Sequence, residues 1–233
     1  MKLRRRRILV IVVALTGVAV WLFVNPNSYE DIFTKVENTG AEEVVDSGML
    51  AREVLEKLEV KGRAPKTGYS REEFYDGWPI MDGCNLRQKI LKREFGETAV
   101  LEGCDVVAGE FDEPYTGEHM VLSDKTEVAK IQIDHVVALS DAWQKGAQYK
   151  DYETRYKIAT DPLNLLAVDG PANEQKSDGD AATWLPKNKK FRCQYVARQV
   201  SVKYKYGLWV TKAEKEAILR VLENCPNEPA IGV

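Results

Sequence analysis

Histidine is scarce in this sequence: 233 residues contain two, His119 and His135. A metal site built from three imidazoles is therefore excluded within one chain. Cysteine is limited to Cys84, Cys104, Cys193 and Cys225, and no two of them make a C-x-x-C pair. That spacing argues against a zinc ribbon. An excess of positive charge is also missing. The formal net charge is −3, so no global attraction to nucleic acid follows. There is no internal repeat, and no low-complexity segment beyond the N-terminal leader. What is present is ordinary globular material, 44% hydrophobic and 30% charged. The length suits one domain plus an appendage.

The leader is distinctive. Lys2 and Arg4 to Arg7 precede an uncharged run from Ile8 to Val24, which Asn25-Pro26-Asn27 ends. A basic flank before such a run marks a secretory signal or a signal anchor, at the short edge of the roughly 17–25 residues that span a bilayer. No A-x-A-like cleavage site follows, which favours an uncleaved anchor. The basic flank stays inside, so the remainder is expected outside the cytoplasm, extracellular or at the cell surface. There, four cysteines are most simply two disulfides. Three connectivities exist. The expected one is Cys84–Cys104 with Cys193–Cys225, because each pair flanks compact local structure. The alternative is a single zinc ion held by all four thiolates. The expected layout is a leader at 1–24, a polar stalk at 25–45, a folded domain at 46–226, and a fraying tail at 227–233.

Within the domain, Val45, Met49, Leu50, Val54, Leu55 and Leu58 recur at helical spacing. Gly62 and Pro65 end that helix, and Lys61, Arg63 and Lys66 make a basic patch, either phosphate contacts or a solvated loop. Asp82-Gly83 and Asn85 offer turn and cap chemistry before a helix over Leu86–Phe95. Ala99–Phe111, Met120–Leu122 and Val128–Ile133 read as strands whose short links favour antiparallel pairing. Helices follow over Ala138–Ala147 and Tyr149–Ala159, stopped by Asp161-Pro162. Leu163–Val168 is a short strand, and Asp169-Gly170-Pro171 turns into a helix at Ala172. Thr211-Lys212-Ala213-Glu214 is a capping box for the last helix.

The stretch from Ile131 to Lys176 carries the chemistry. Asp134-His135 ends an apolar alternating run, Asn164 precedes a second one, and Asn173 follows Gly170-Pro171. An acid, an imidazole and two carboxamides at turn-rich positions are poor core material. They suit a divalent metal and a general base. As a bare dipeptide, Asp134-His135 is more often a strand-end polar pair, and both asparagines suit turns and caps. His119, beside a turn, is given no role.

The strings GYSREEF, DGC, EPYTG, IDHVVALSDAW, DPLNLLAVDGPANEQKSDGDAATWLP and FRCQYVARQVSVKYKYGLWVT together cover most of the chain from Val54 to Cys225. In these strings the chain resembles the HNH endonucleases, the ββα-metal nucleases. It is most similar to exported HNH-like proteins of actinobacterial type, related to the nuclease part of modification-dependent restriction enzymes. The resemblance implies an α+β fold, with a ββα-metal core, additional helices and a small antiparallel sheet. It implies a metal-dependent endonuclease acting on DNA or RNA, with His135 as general base. Asn164 would hold His135 in its productive orientation through its amide. Asp134 and Asn173 would hold one divalent ion on the scissile phosphate. Asn173 stands where a literal H-N-H has its last histidine. A carboxamide oxygen suits Mg2+, Mn2+ or Ca2+ better than zinc.

After Trp184, Lys187, Lys189, Lys190, Arg192, Arg198, Lys203 and Lys205 meet no acid until Glu214, with Tyr195, Tyr204, Tyr206 and Trp209 interleaved. Basic side chains bind phosphates and aromatics stack on unpaired bases. Arg155, Lys176, Arg192, Arg198, Lys203 and Lys205 are the expected nucleic-acid contacts. The bland reading is a solvated face on a helix whose stripe of Phe191, Tyr195, Val196, Gln199 and Val202 packs inward. The expected partners are nucleic acid and, if the leader is uncleaved, a membrane; the chain is expected to be a monomer. Two other classes compete: an envelope protein that binds nucleic acid without cutting it, and a glycan hydrolase using Asp134. The second lacks the paired carboxylates that flank a glycosidic bond.

Overall fold

The computed structural model describes residues 48–232; the expected leader and stalk lie outside them. Helix α1 (Ala51–Lys57) is followed by an irregular strap and a ribbon of β1 (Ile80–Met81) and β2 (Cys84–Asn85). Helix α2 (Leu86–Phe95) follows directly. Strands β3 (Val100–Glu102), β4 (Asp105–Asp112) and β5 (His119–Leu122) form one sheet in that order. A turn of helix, α3 (Lys125–Val128), leads into β6 (Ile131–His135). Helices α4 (Leu139–Gln144) and α5 (Tyr152–Thr160) separate β6 from its partner β7 (Leu165–Asp169). Helix α6 (Gly170–Lys176) follows β7 at once, and α7 (Arg192–Lys205) and α8 (Lys212–Leu222) come last. The fold is α+β with antiparallel sheets throughout. No helix among the described residues is long and apolar enough to cross a membrane.

Local chemistry accounts for most boundaries. The Asn85 side chain accepts from Arg87 N and starts α2, whose Leu86, Ile90, Leu91 and Phe95 are buried at helical spacing. Its bounds are those expected. Asp151 caps α5 through Thr154 N, and Asp169 caps α6 through Ala172 N with Pro171 in the first turn. Thr211 and Glu214 form the expected capping box of α8. Gly170 is required by space, because a Cβ there would meet Lys130 O at 2.9 Å. That close approach sets α6 against the start of β6.

Three expectations change. The strand expected over Ala99–Phe111 is split into β3 and β4 by a tight turn at Gly103-Cys104, where Gly103 takes φ +63. Val128 belongs to α3 rather than to the strand, because the Asp124 carboxylate caps that turn through Thr126 N and Glu127 N. Residues 227–232 are tied down rather than frayed. Ala51 N donates to Glu228 O and Ala230 N to Met49 O, each at 2.9 Å, and Leu50 bridges Pro229. Ala230, only 4% exposed, supplies the apolar anchor.

Cys84 pairs with Cys104 and Cys193 with Cys225, Cα to Cα 5.6 and 6.3 Å, which is the expected connectivity. No cysteine among the described residues is free, so zinc held by four thiolates is ruled out.

The core has three parts around the β6–β7 pair. One joins α1, α7 and α8 through Val54, Leu55, Val196, Val200, Ile218 and Leu222. A second packs Phe74 and Tyr75 of the strap on Trp143 and Ile158. The third sets α2 and β4 against Ile131, Ile133 and Leu165. Each fully buried large aliphatic residue contributes about 1.5–3 kcal/mol. Helix α7 is buried around most of its circumference, Ala197, Val200, Ser201 and Lys203 included.

Lys203 is buried because it belongs to an ionic cluster under the helices. Lys145 Nζ lies 2.7 Å from each of Asp141, Asp180 and Glu214. Lys203 pairs with Asp141 at 3.1 Å and with Glu214, and Arg63 reaches Asp141 and Asp180 at 2.9 and 2.8 Å. Three cations thus balance three carboxylates. Burial pushes the Asp180 carboxyl up, but Lys145 and Lys203 outweigh it and bring the pKa down to about 2. Asp141 is lowered by the same balance, with Lys203 and Lys145 outweighing burial. A depressed carboxylate stabilises the fold above its unfolded pKa, near ~3.9. That stabilisation is lost as pH falls toward about 2. The urea midpoint, followed by tryptophan fluorescence, should therefore drop between pH 5 and pH 2 (a window on the order of these pKa values). Asp180→Asn, weaker at neutral pH, should decline more shallowly across it. Parallel declines would remove Asp180 from the acid response.

Candidate active site

The C-terminal end of β6 opens on a cleft of about 320 Å³, lined among others by Lys66, Tyr69, Arg71, Asp134, His135 and Asn173. β6 and β7 set its floor in register, with Asp134 opposite Leu166 and His135 opposite Leu165.

His135 is 4% exposed. Its Nε2 lies 2.9 Å from Ala159 O at the end of α5. A carbonyl only accepts, so Nε2 carries the proton and Nδ1 keeps the lone pair. Burial is the main force lowering the imidazole pKa, to about 3, against the opposing pull of that carbonyl. The ring is therefore neutral at physiological pH. Trp78 stacks on it, 5.8 Å between centroids at 8°, and Tyr75 packs at 5.9 Å.

Asn164 is completely buried. Its amide works entirely on the main chain. Oδ1 accepts from Val137 N at 2.8 Å, and Nδ2 donates to Ile158 O at 2.9 Å and Val137 O at 3.3 Å. Its own carbonyl accepts from Val136 N. The amide thus joins the two segments that hold the imidazole: the backbone leaving His135, and the end of α5 that supplies Ala159 O. Contact with the ring is one step removed, through backbone, which makes Asn164 a positioning residue.

Asp134 is 5% exposed and carries a partner on each oxygen. Lys176 Nζ lies 3.0 Å from Oδ1, and the Tyr115 hydroxyl donates to Oδ2. Lys176 also donates to His135 O at 2.8 Å. Burial raises the Asp134 carboxyl, with Lys176 opposing. Tyr115 is pressed into place by the EPYTG turn, where Glu113 accepts from Tyr115 N, Thr116 N and Asp169 N.

Asn173 does not cap α6, since Asp169 does; it lies within the helix. Its Nδ2 donates to Gln132 Oε1 at 2.8 Å, and Oδ1, on the cleft wall, has no hydrogen-bond partner among the described residues. One carboxylate and one free carboxamide oxygen are hard donors. Such donors are the type a hard divalent ion takes, but each Asp134 oxygen here already holds Lys176 or Tyr115. Among the described residues, the one grouping of three or more His, Cys, Asp or Glu side chains at ligand distances is Cys193, Cys225 and Glu228, whose cysteines are joined in a disulfide.

The expected nucleic-acid contacts are largely corrected. Lys176 and Lys203 are buried in ion pairs. Arg155 is spent on Glu73 O, Lys150 O and the Glu73 carboxylate, over the Trp143 ring. Arg198 donates to Leu163 O, and Arg192 to Pro186 O. Lys205 remains 44% exposed but pairs with Asp161 at 2.8 Å. None of the six lines the His135 cleft. For the four on α7 the reason is the helix itself: enclosed on most sides, it turns its cations to carboxylates and carbonyls of neighbouring elements. Lys66 and Arg71 of the strap line the cleft instead. His119 lies exposed at the start of β5 against Asp112 and Glu110.

Residues 86–221, more than half of the chain, match the family model described as "GmrSD restriction endonucleases, C-terminal domain". The chain belongs to this family. A protein of Arthroderma benhamiae named "Uncharacterized secreted protein" is 33% identical over 183 residues, covering 78% of this chain and 87% of the relative. No solved structure matches. The family match begins at Leu86, after the strap. Tyr69, Arg71, Tyr75 and Trp78, which wall the imidazole, therefore lie outside it.

Proposed function

We propose that the chain is a metal-dependent endonuclease of the HNH, ββα-metal type, hydrolysing phosphodiester bonds in DNA or RNA outside the cytoplasm. The observation that carries this reading is His135. It is a neutral imidazole whose Nε2 is committed to Ala159 O, on a cleft that also holds Asp134 and the free Asn173 Oδ1. Nδ1 takes a proton from a water molecule, whose oxygen bonds to phosphorus. The bond from phosphorus to the leaving sugar oxygen breaks, and that oxygen takes a proton from solvent. Asp134 and Asn173 would hold a hard divalent ion, Mg2+, Mn2+ or Ca2+, which would supply positive charge to offset that of the phosphate. Asn164 keeps the ring and its carbonyl anchor in one geometry. The family match supports a nuclease, and the two disulfides and the secreted relative support an oxidising compartment. Retention at the membrane follows if the leader stays uncleaved.

One observation favours a second reading, a scaffold that binds nucleic acid without cutting it: both Asp134 oxygens already have protein partners. A single assay separates the two. The full-length chain, incubated with supercoiled plasmid and Mg2+, Mn2+ or Ca2+ in turn, should produce nicked circles, and EDTA should stop it. Plasmid that is retarded on a gel yet never nicked, with any of the ions, would favour the scaffold.

A further inference from the structure

The cleft over His135 does not end at its own wall. A second hollow of about 570 Å³ adjoins it, and the two share Arg71, Ile133 and Asn173. Trp78, the ring stacked on His135, lines the far side. Together they make one groove, with His135 in the first half and Arg71 where the halves meet.

Arg71 is the arginine shared by the two halves of this groove. Arg87, in the adjoining hollow, donates to Val128 O and Ile131 O. Arg71 is exposed, and its Nε lies 3.2 Å from the Tyr75 hydroxyl while its guanidinium carbon sits 5.5 Å over the Tyr75 ring. Tyr75 is buried, so it aims the guanidinium from a fixed base. No carboxylate lies within ion-pair distance of Arg71, and its terminal nitrogens have no hydrogen-bond partner among the described residues. By contrast, the cleft's other cation, Lys66, is paired with Asp178 at 3.2 Å. A planar, aimed fork with two free nitrogens matches the oxygens of a phosphodiester.

We propose that Arg71 is a substrate-positioning residue that grips the phosphate of the bond to be cut, and that the adjoining hollow takes the neighbouring nucleotide of the same strand. The proposal rests on the nuclease reading and gives that site its substrate path: a strand lying through the groove, with chain on both sides of Arg71. Cutting at interior bonds follows from that path. Tyr75 and Trp78 then have two tasks, packing the imidazole and supporting the substrate's grip.

The test uses the full-length chain. Binding of a labelled single-stranded oligonucleotide is measured across a KCl series in the inactive His135→Ala background, with and without Arg71→Ala. Loss of one phosphate contact should make the slope of log affinity against log salt shallower by about 0.7. In the active chain, Arg71→Ala should lower kcat/KM by at least about tenfold, the size expected for losing one charged contact. Arg71→Lys, which keeps charge without the fork, should restore the slope and only part of the rate. Arg52→Ala, an exposed arginine on α1, is the control and should change neither. An Arg71→Ala chain with unaltered slope and unaltered cutting overturns the proposal and leaves the nuclease reading standing, since the wild type still cuts. A lowered melting temperature with an unaltered slope also overturns it, in favour of a structural role. If the wild type cuts nothing, the nuclease reading fails, and an unchanged slope would then dispose of the phosphate contact as well.

Discussion

Alanine in place of His135 should slow phosphodiester cleavage by about 10²–10⁴-fold, the contribution of a positioned general base. That corresponds to about 3–5 kcal/mol of barrier. Oligonucleotide binding should persist, because Arg71 and the groove walls are untouched. The imidazole is also a packing element: its removal leaves a gap beside Trp78 and strips Ala159 O of its donor. His135→Asn reduces this by keeping a polar, hydrogen-bonding side chain, smaller than the imidazole, without a titratable nitrogen. Single-turnover cleavage and urea midpoints, measured on both variants, separate the effects. Two folded variants that cut at the wild-type rate would end the assignment of His135 as the base.

Methionine in place of Lys145 should cost about 3–5 kcal/mol, because breaking a buried ion pair leaves its partner charged and unmatched. Few domains can absorb that out of a total of about 5–15 kcal/mol. Lys145 is fully buried and touches Asp141, Asp180 and Glu214. Its loss leaves three carboxylates facing Lys203 and Arg63. The same physics predicts a partial rescue. Lys145→Met combined with Asp180→Asn returns the cluster to two cations and two anions, and should be more stable than Lys145→Met alone. Urea unfolding of the two proteins decides it. If the double variant is the weaker, hydrogen bonding rather than charge balance holds the cluster together.

How much of this was legible in the sequence depended on the range of the signal. Apolar spacing with a cap located α2, and the Thr211–Glu214 box located the start of α8, because both are read within one turn of helix. The pairing of the disulfides followed from local compactness. The direction of long side chains was not legible. Lys203 and Arg198 lie in a run without acids, yet their partners, Asp141, Glu214 and Leu163 O, come from other elements. A basic run reads as a surface only if its helix has a free side, and α7 has little. At the site, Asp134, His135 and Asn173 were legible from residue type and position, and all three line one cleft. The anchor of the imidazole was not, since it is a main-chain carbonyl, and any residue has one. Trp78 was missed for a different reason: it belongs to the strap, over fifty positions earlier. Arg71 and Tyr69 did stand in GYSREEF, one of the strings that carried the family resemblance, but nothing in their spacing marked them as cleft residues.

The bridge between Leu50 and Pro229 has a topological consequence. Entry into and exit from the described domain occur at one doorway, a strand spacing of about 5 Å apart. The polypeptide between them is effectively a closed circuit, and its cut point is arbitrary as far as packing is concerned. Such a layout can be spliced as a cassette into a loop of an unrelated host, or re-opened at a different hairpin, without pulling the groove apart.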